Sequence, residues 1–252
     1  MRKLILAAAS GAAILLAGAG LATAAGANVP AYVAAAVADT SRPDADRMRD
    51  PERKPAEVLA FAGVRPGMKV GELIPGGGYY TRLLSDIVGP GGHVYGLWPE
   101  GLAKARPQML DANAKIAANV SEVTLGETSL NTPVKLDMVW TTENYHDLHN
   151  GPPDAPAPDI SKFNHAVYEA LKPGGIYLIE DHADAPGTGT KDTGTLHRID
   201  PAAVKSEVEA AGFRLVASSD ILHNPDDPHT ARVFDPSIRG HTDKLLFKFR
   251  KP

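Results

Sequence analysis

The chain has 252 residues, contains no cysteine and carries a formal net charge of −4. Without cysteine it has neither a disulfide framework nor a thiolate metal site. The acidic balance and the lack of a basic stripe argue against nucleic acid as a partner.

The N-terminus has the pattern of a secretion signal. Residues 1–3 are short and basic, residues 4–16 are apolar, and Ala22-Thr23-Ala24 fits a small-x-small cleavage site. The apolar run is too short and too rich in alanine and glycine for a permanent anchor, so we expect no stable membrane insertion after cleavage. The sequence therefore predicts a signal peptide at 1–24 and a periplasmic or secreted protein.

The rest of the chain predicts one domain with a short leading segment. Residues 25–51 favour a linker or weak helix, and residues 52–252 favour a single domain with a substantial core. Helical patterns over 45–50 and 55–62 precede the first predicted strand, and prolines suit helix starts.

The first strand and the segment after it are the most informative part of the sequence. A strand predicted at 69–74 leads through three consecutive glycines, Gly76 to Gly78, into a helix predicted at 79–88. A strand, a tight glycine loop and a helix start typically hold a nucleotide-like ligand at the edge of a parallel sheet. Glycines let the backbone approach the ligand, and the helix start offers free N–H groups. Neither a Walker-type Gly-Lys-Ser/Thr nor a G-x-G-x-x-G spacing is present.

The remaining elements alternate between strand and helix. In chain order we predict a strand at 93–97, a helix at 107–119, strands at 122–125 and 136–140, a helix at 162–171, a turn at 172–175, a strand at 176–180, a helix at 201–211 and strands at 213–218 and 244–249. This alternation predicts an α/β fold with a doubly wound, mostly parallel sheet of seven strands.

The glycine segment resembles motif I of the class I S-adenosylmethionine (SAM) methyltransferases. Glu72 stands four residues before Gly76 and six before Gly78, and residues 76–81 are most similar to the version in protein isoaspartate methyltransferases. The turn at 172–175 and the two late strands are also similar to this family, in which strand seven inserts antiparallel between strands five and six. The resemblance spans about residues 52–250 and implies a Rossmann-like fold, SAM as cofactor and methyl transfer to a small-molecule acceptor.

The resemblance also implies a set of cofactor-binding positions. In the family, an acid after strand two holds the ribose; here Trp98 has that position and Glu100 follows two residues later. Trp98 can stack on adenine or pack in the core, and Glu100 can reach the ribose or remain a solvated acid at a helix start. Glu127 has the position of an acid that accepts from the adenine amino group, or it is a surface residue. The predicted cofactor-binding residues are Glu72, Gly76, Gly77, Gly78, Thr81, Trp98, Glu100, Glu127 and Asn144.

Polar clusters follow strands four and five, at 143–150 and 180–184, and a third patch lies at 193–200. The carboxyl ends of parallel strands meet at one sheet edge, so we expect these clusters to converge. Histidine titrates near neutral pH and can take a proton from an acceptor. The predicted catalytic residues are His146, Asp147 and His182, with His149 and His197 next. Any one of these histidines alone is better explained as a hydrogen-bonded loop residue, and it is their clustering after successive strands that favours a function.

Two other functions are compatible with the same residues. His146 and His149 with Asp181 or His182 can ligate zinc, but no H-E-x-x-H or similar spacing supports a metal, and we predict none. A non-catalytic ligand-binding protein on the same fold is favoured by Trp98 and by the cytoplasmic origin of SAM. The methyltransferase function is favoured over both, because the chain resembles a group of exported bacterial predicted methyltransferases that carry Asn-Tyr-His-Asp-Leu-His after strand four.

Overall fold

The computed structural model describes residues 28–126, 128–151 and 158–252. The signal peptide predicted at 1–24 and the predicted site residue Glu127 lie outside these ranges. The helices are α1 Ala31–Ala38, α2 Asp44–Arg47, α3 Asp50–Arg53, α4 Pro55–Ala62, α5 Tyr79–Val88, α6 Glu100–Ala105, α7 Pro107–Asn113, α8 Ile160–Ala170 and α9 Pro201–Ala210, and a 3-10 helix spans His146–His149. The strands are β1 Lys69–Leu73, β2 His93–Trp98, β3 Val120–Thr124, β4 Leu136–Thr142, β5 Leu171–His182, β6 Arg214–Ser218 and β7 Lys244–Arg250.

The seven strands form one sheet in the order β3-β2-β1-β4-β5-β7-β6. Strands β1 to β5 pair in parallel, whereas β7 runs antiparallel between β5 and β6. This confirms the predicted mostly parallel seven-stranded sheet. The chain order reverses between β1 and β4, so the crevice for a ligand lies beyond the carboxyl ends of these two strands.

Helices cover both faces of the sheet. One apolar cluster joins α1, α4 and α5 to the sheet through residues such as Val33, Leu59 and Leu83. A second cluster on the other face joins α8 and α9 through Val167 and Val204. A parallel sheet buries both faces in this way, which explains why its strands are nearly continuous apolar runs.

The segment predicted as a linker at 25–51 packs onto the domain where it is described. Within it, α1 contacts α4 and α5 and buries Val33 and Ala36. The following stretch, residues 42–53, is held against α5 by polar contacts and is named here the N-terminal clamp. Arg42 donates two hydrogen bonds of 2.8 Å to Asp50, and Tyr79 donates one of 2.6 Å to the same carboxylate. Arg82 donates at 2.6 Å to Asp46.

Several element boundaries differ from the predicted ones. The helix predicted at 107–119 ends at Asn113, whose side chain turns aside and donates to the Gly76 carbonyl at 2.9 Å. The predicted turn at 172–175 lies inside β5, which absorbs it through a register shift against β4. Helix α6 and the 3-10 helix lie where the sequence predicts no helix, and the helix predicted at 45–50 is two short ones, α2 and α3. None of the helices in the described ranges is long and apolar enough to cross a membrane.

Candidate functional site

The loop after β1 presents bare backbone to open space. Ile74 and Gly76 have φ angles of +48° and +59°. A Cβ added at Gly77 would meet nothing within 4 Å, and one at Gly76 only its own loop carbonyl at 4.0 Å. Because these two positions have free space above the backbone, the loop leaves room for a ligand to approach closely.

Gly78 has a different environment from the other two glycines. A Cβ there would lie 2.5 Å from a methyl of Ile116 and 2.6 Å from the side-chain oxygen of Asn113. Its φ of +80° adds a second reason for glycine. Packing against the segment after α7 therefore accounts for Gly78, and a direct contact with a cofactor remains a prediction.

Glu72 and Thr81 lie together at the end of β1. The Thr81 hydroxyl donates a 2.6 Å hydrogen bond to the Glu72 carboxylate, and both side chains are buried. Burial raises the pKa of Glu72 to about 8, since desolvation penalises the charged form more than Thr81 stabilises it. Glu72 is thus mainly protonated at neutral pH.

A cavity of about 220 Å³ opens beside this loop and is named the glycine-loop cavity. Asn144 stands at its wall and donates to the backbone carbonyls of Leu73, at 3.1 Å, and Thr142, at 2.6 Å. Asn144 therefore ties the end of β1 to the end of β4. The cavity is lined by Asp46, Arg49, Arg53, Glu72, Leu73, Ile74, Pro75, Gly76, Gly77, Tyr79, Tyr80, Thr142, Glu143 and Asn144.

A second cavity, of about 590 Å³, lies at the carboxyl ends of β2 and β3 and is named the β3-side cavity. Glu100 lines it, and its carboxylate pairs with Lys104 at 2.6 Å. Trp98 is fully buried, and its indole N–H donates to the carboxylate of Glu122. Trp98 thus has a structural role where the methyltransferases place their ribose acid, and stacking on adenine remains a prediction.

A third cavity, of about 600 Å³, shares Arg49, Arg53 and Glu143 with the glycine-loop cavity and is named the cationic cavity. Arg53 connects the two, because its guanidinium pairs with Glu143 at 2.6 Å and lies 4.9 Å from the ring centre of Tyr79. The cationic cavity is lined by Arg49, Glu52, Arg53, Glu143, His182, Val233, Phe234, Arg239, Gly240, Thr242 and Lys244.

Two carboxyl groups beside Arg53, the half-buried Glu143 and the fully buried Glu180, have opposite pKa shifts. Burial opposes the ionisation of Glu143, but the charges of Arg53 and Lys244 outweigh it and hold its pKa below the ordinary value. Burial and the charge of Glu143 raise the pKa of Glu180, which accepts a hydrogen bond from Tyr80. Glu143 therefore keeps its negative charge to lower pH than Glu180 does.

The histidine cluster consists of His146, Asp147, Asp181 and His197. Asp181 is fully buried and accepts from the His146 ring Nδ1 at 2.8 Å and from the His146 backbone at 2.7 Å. The other ring nitrogen, Nε2, lies 3.2 Å from Nδ1 of His197 and 3.4 Å from the Asp147 carboxylate. Burial lowers the pKa of His146, but the Asp181 carboxylate more than compensates and raises it above the ordinary value. The structure thus brings two predicted catalytic residues together with His197.

His182 lies next to this cluster, with its ring centre 6.0 Å from that of His146, whereas His149 faces away from it. His182 lines the cationic cavity, and its Nδ1 lies 2.8 Å from the Thr242 hydroxyl. Burial lowers its pKa to about 4, so this imidazole is neutral and only weakly basic at neutral pH. His149 lies 3.2 Å from the carboxylate of Glu207.

Three residues around the site have left-handed backbone conformations. Ile74, Glu143 and His197 have φ angles of +48°, +53° and +58°. Such conformations cost about 1–3 kcal/mol for a residue other than glycine and cluster at functional sites. Ile74 takes up a conformation that glycine adopts without strain, in the loop that carries Gly76 and Gly77.

No motif or spacing in the sequence marks Arg49, Arg53 and Lys244 as site residues. The two arginines lie in a charge-rich run, residues 42–54, that looks like a solvated surface by composition alone. Lys244 is the first residue of the last strand, and nothing in the sequence around it indicates a functional site. Only the fold brings all three beside Glu143.

No protein-family model and no curated protein matches this chain. Solved structures do resemble it. A SAM-dependent methyltransferase from Aquifex aeolicus is 18% identical, covers 82% of this chain and 96% of its own, and gives a TM-score of 0.54.

Two further solved structures are similar to the same degree. A SAM-dependent methyltransferase from Mesorhizobium loti is 14% identical over 80% of this chain and 99% of its own, with a TM-score of 0.55. The cyclase SpnF is 15% identical over 85% of each chain, with a TM-score of 0.53. At such identities a likeness establishes the fold alone. The chain therefore has the Rossmann-like fold of the class I SAM-dependent methyltransferases.

Proposed function

We propose that the protein is a SAM-dependent methyltransferase that acts on a small, negatively charged acceptor outside the cytoplasm. The observation that carries this proposal is the glycine-loop cavity, where Gly76 and Gly77 leave open space above the backbone next to Glu72. The signal-peptide pattern of residues 1–24 supports a location outside the cytoplasm, either in the periplasm or as a secreted protein.

The residues of the glycine-loop cavity fit the amino-acid end of SAM. Gly76 and Gly77 offer backbone at close range, and Arg49 offers a cation for the carboxylate group. The ionised Glu143 and nearby Asp46 offer negative charge for the ammonium group. For the adenosine end, the β3-side cavity offers apolar walls from Leu125, Leu130 and Leu148, with Glu100 near the β2 end.

When bound, SAM supplies a methyl group already activated by its sulfonium. The protein then has to align acceptor and methyl group, which supplies most of the acceleration in such transfers. The shared wall of Arg49, Arg53 and Glu143 sets the cationic cavity directly beside the glycine-loop cavity. An acceptor in the cationic cavity would therefore lie next to a donor held in the glycine-loop cavity, and His182, which lines the cationic cavity, and His146 beside it could take up a proton that the acceptor loses.

The charge of the cationic cavity favours an anionic acceptor. Four cationic side chains line it against two acids, Glu52 and Glu143, and Glu143 is already paired with Arg53. Arginine binds carboxylate and phosphate in a bidentate manner, and lysine binds them as a point charge. The cations are Arg49, Arg53, Arg239 and Lys244.

Calorimetric titration with SAM and S-adenosylhomocysteine tests the proposal. We expect micromolar binding by the wild type and a loss of about 100-fold or more in Gly77→Val, because the added side chain fills the open space above the loop. Gly77 has no positive φ, so this substitution introduces no backbone strain.

Gly91→Val is the matched control. Gly91 is another loop glycine without a positive φ, and an added Cβ there would only approach Gly67 at 4.0 Å. It lies at the amino end of β2, remote from the cavity. Binding of neither compound by a folded wild type would overturn the proposal.

A second function has one specific observation in its favour. Trp98 is fully buried at the position of the ribose acid, so one usual SAM contact is replaced by packing. The cyclase SpnF also shows that this fold is not restricted to enzymes named as methyltransferases. A ligand-binding protein without methyl transfer predicts that the wild type fails the same titration.

A further inference from the structure

We propose that His146, Asp147 and His197 form a binding site for a tetrahedral divalent transition-metal ion such as zinc, beside the cationic cavity. This ligand set differs from the one considered from sequence, which paired His146 with His149. It does not depend on methyl transfer, because it rests on the geometry of three side chains.

The spacing of the three ligand atoms is that of a tetrahedral site. His146 Nε2 lies 3.2 Å from His197 Nδ1 and 3.4 Å from the Asp147 carboxylate oxygen, and the same oxygen lies 3.8 Å from His197 Nδ1. Zinc bonds of about 2.0–2.2 Å at tetrahedral angles separate neighbouring ligand atoms by about 3.3–3.6 Å. A zinc ion therefore fits between the three atoms with small adjustments.

Asp181 holds His146 in the orientation that a metal requires. Its carboxylate accepts from His146 Nδ1 at 2.8 Å, which directs the lone pair of Nε2 toward His197 and Asp147. The same carboxylate accepts from the backbone N–H groups of His146 and His182, at 2.7 and 2.8 Å, and is fully buried. Metal-ligating histidines commonly donate their second N–H to a carboxylate in this way.

His197 is held in place from the other side. Its backbone is in the left-handed region at a φ of +58°, a conformation that persists only where the surroundings impose it. The ring packs edge-on against Phe234 at 5.0 Å, and its Nε2 lies 3.4 Å from the Arg232 guanidinium. The contact with Phe234 leaves Nδ1 facing His146. A metal bound to Nδ1 requires the ring proton to be on Nε2, so the Arg232 guanidinium, which can only donate, has to move away from Nε2 when the ion binds.

The site has one position open for an exogenous ligand. Three protein ligands with a free fourth position are typical of catalytic zinc sites, whereas structural sites use four. The cluster borders the cationic cavity, because His146 packs against His182 and His197 packs against Phe234, and both neighbours line that cavity. An oxygen of an anionic acceptor is thus the fitting fourth ligand.

A hydrogen bond from His197 to His146 would explain the 3.2 Å distance without an ion, so metal binding itself has to be measured. The experiment is calorimetric titration of ZnCl₂ into protein purified without a polyhistidine tag and dialysed against a chelator. We expect one equivalent of zinc to bind. His197→Ala and Asp147→Asn should each weaken binding by about 10-fold or more, and Asp181→Asn by about 10–100-fold.

His149→Ala is the matched control. It removes an imidazole from the same 3-10 helix, but one that faces Glu207 rather than the cluster. We expect its zinc affinity to equal that of the wild type. His197 is partly exposed, so its alanine variant is expected to fold, and far-ultraviolet circular dichroism checks each variant.

Cobalt provides a readout of geometry. Co²⁺ at a tetrahedral site should give strong visible absorption that His197→Ala loses and His149→Ala keeps. The proposal is overturned if folded wild type binds no zinc, if His197→Ala and Asp147→Asn bind zinc like the wild type, or if Mg²⁺ is preferred over Zn²⁺. Because the readout is metal binding, it is independent of the outcome of the SAM titration.

Discussion

The glycine loop after β1 and the histidine cluster after β4 and β5 lie on the same edge of the sheet but differ in construction. The loop offers its backbone to a ligand, because Gly76 and Gly77 leave their peptide groups uncovered, and the residues that form it are consecutive in the sequence. The cluster works through side chains taken from positions 146, 147, 181 and 197, each held by another part of the chain. A backbone site tolerates no added bulk, whereas a side-chain site depends on the partners that orient it.

Arg53 lies between the glycine-loop cavity and the cationic cavity, and its removal should have the largest effect. Arg53→Ala leaves the half-buried Glu143 carboxylate without its main counter-ion. Breaking a buried pair on one side costs about 3–5 kcal/mol, and because Glu143 is partly exposed we expect the free energy of unfolding, measured with urea, to fall by about 3 kcal/mol. SAM affinity should also fall, because Arg53 lines the glycine-loop cavity.

Arg47→Ala serves as the control for Arg53. Arg47 pairs with Asp44 at the surface, where exposed ion pairs contribute little, so its loss should cost less than about 1 kcal/mol. Equal losses for the two variants would show that the Arg53–Glu143 pair stabilises the fold no more than a surface pair does.

A crossed pair of titrations should separate the two regions. Gly77→Val is expected to lower SAM affinity about 100-fold, about 2.7 kcal/mol, and to leave zinc affinity unchanged. His197→Ala is expected to do the reverse, because Gly77 lines only the glycine-loop cavity and His197 belongs only to the cluster. A variant that changes both affinities equally would show that the regions act as one site.

Glu72→Gln should reveal the cost of a buried acid in the glycine-loop region. The native state raises the pKa of Glu72 to about 8 from an ordinary value of 4.5, so the folded protein holds a proton that the unfolded chain releases. The free energy of unfolding of the wild type should therefore fall as the pH rises from about 4.5 to about 8, and this loss should be complete above about pH 8. Glutamine cannot ionise, so the variant should gain about 1–3 kcal/mol relative to wild type between pH 5 and pH 9.

The measurement for Glu72 is urea unfolding at pH 5, 7 and 9. Glu57→Gln is the control, since Glu57 is an exposed acid on α4. Its stability relative to wild type should not change with pH. A stability difference between Glu72→Gln and wild type that stays constant from pH 5 to pH 9 would mean that Glu72 is already ionised in the folded protein at pH 5.

The two regions also differ in how far the sequence could predict them. The glycine loop is contiguous, so its residues and spacing predicted a strand, a turn and a helix start, all of which are confirmed. Gly78 shows the limit of that reading, because its contact with Ile116 depends on a segment almost forty positions away. Local pattern identifies the loop but not which glycine faces the ligand.

The histidine cluster could be predicted only in part. The order of strands placed residues 146, 147 and 182 at one edge, but the partner of His146 depends on which carboxylate is buried beneath it. His197 reaches the cluster through a left-handed turn in a long irregular segment, which no periodicity describes. Arg49 and Arg53 approach from the N-terminal clamp, in a run whose composition alone indicates only solvent exposure.

The N-terminal clamp has a kinetic consequence. Arg49 and Arg53 form part of the wall of the glycine-loop cavity, and the stretch that carries them is tied to α5 by the Tyr79–Asp50 hydrogen bond and the Asp46–Arg82 pair. We expect a ligand of this cavity to exchange faster when that tie loosens. Because salt screens ion pairs that are partly exposed to solvent, higher ionic strength should speed both entry and departure of the ligand. Residence time, more than equilibrium occupancy, is then the property that the clamp controls.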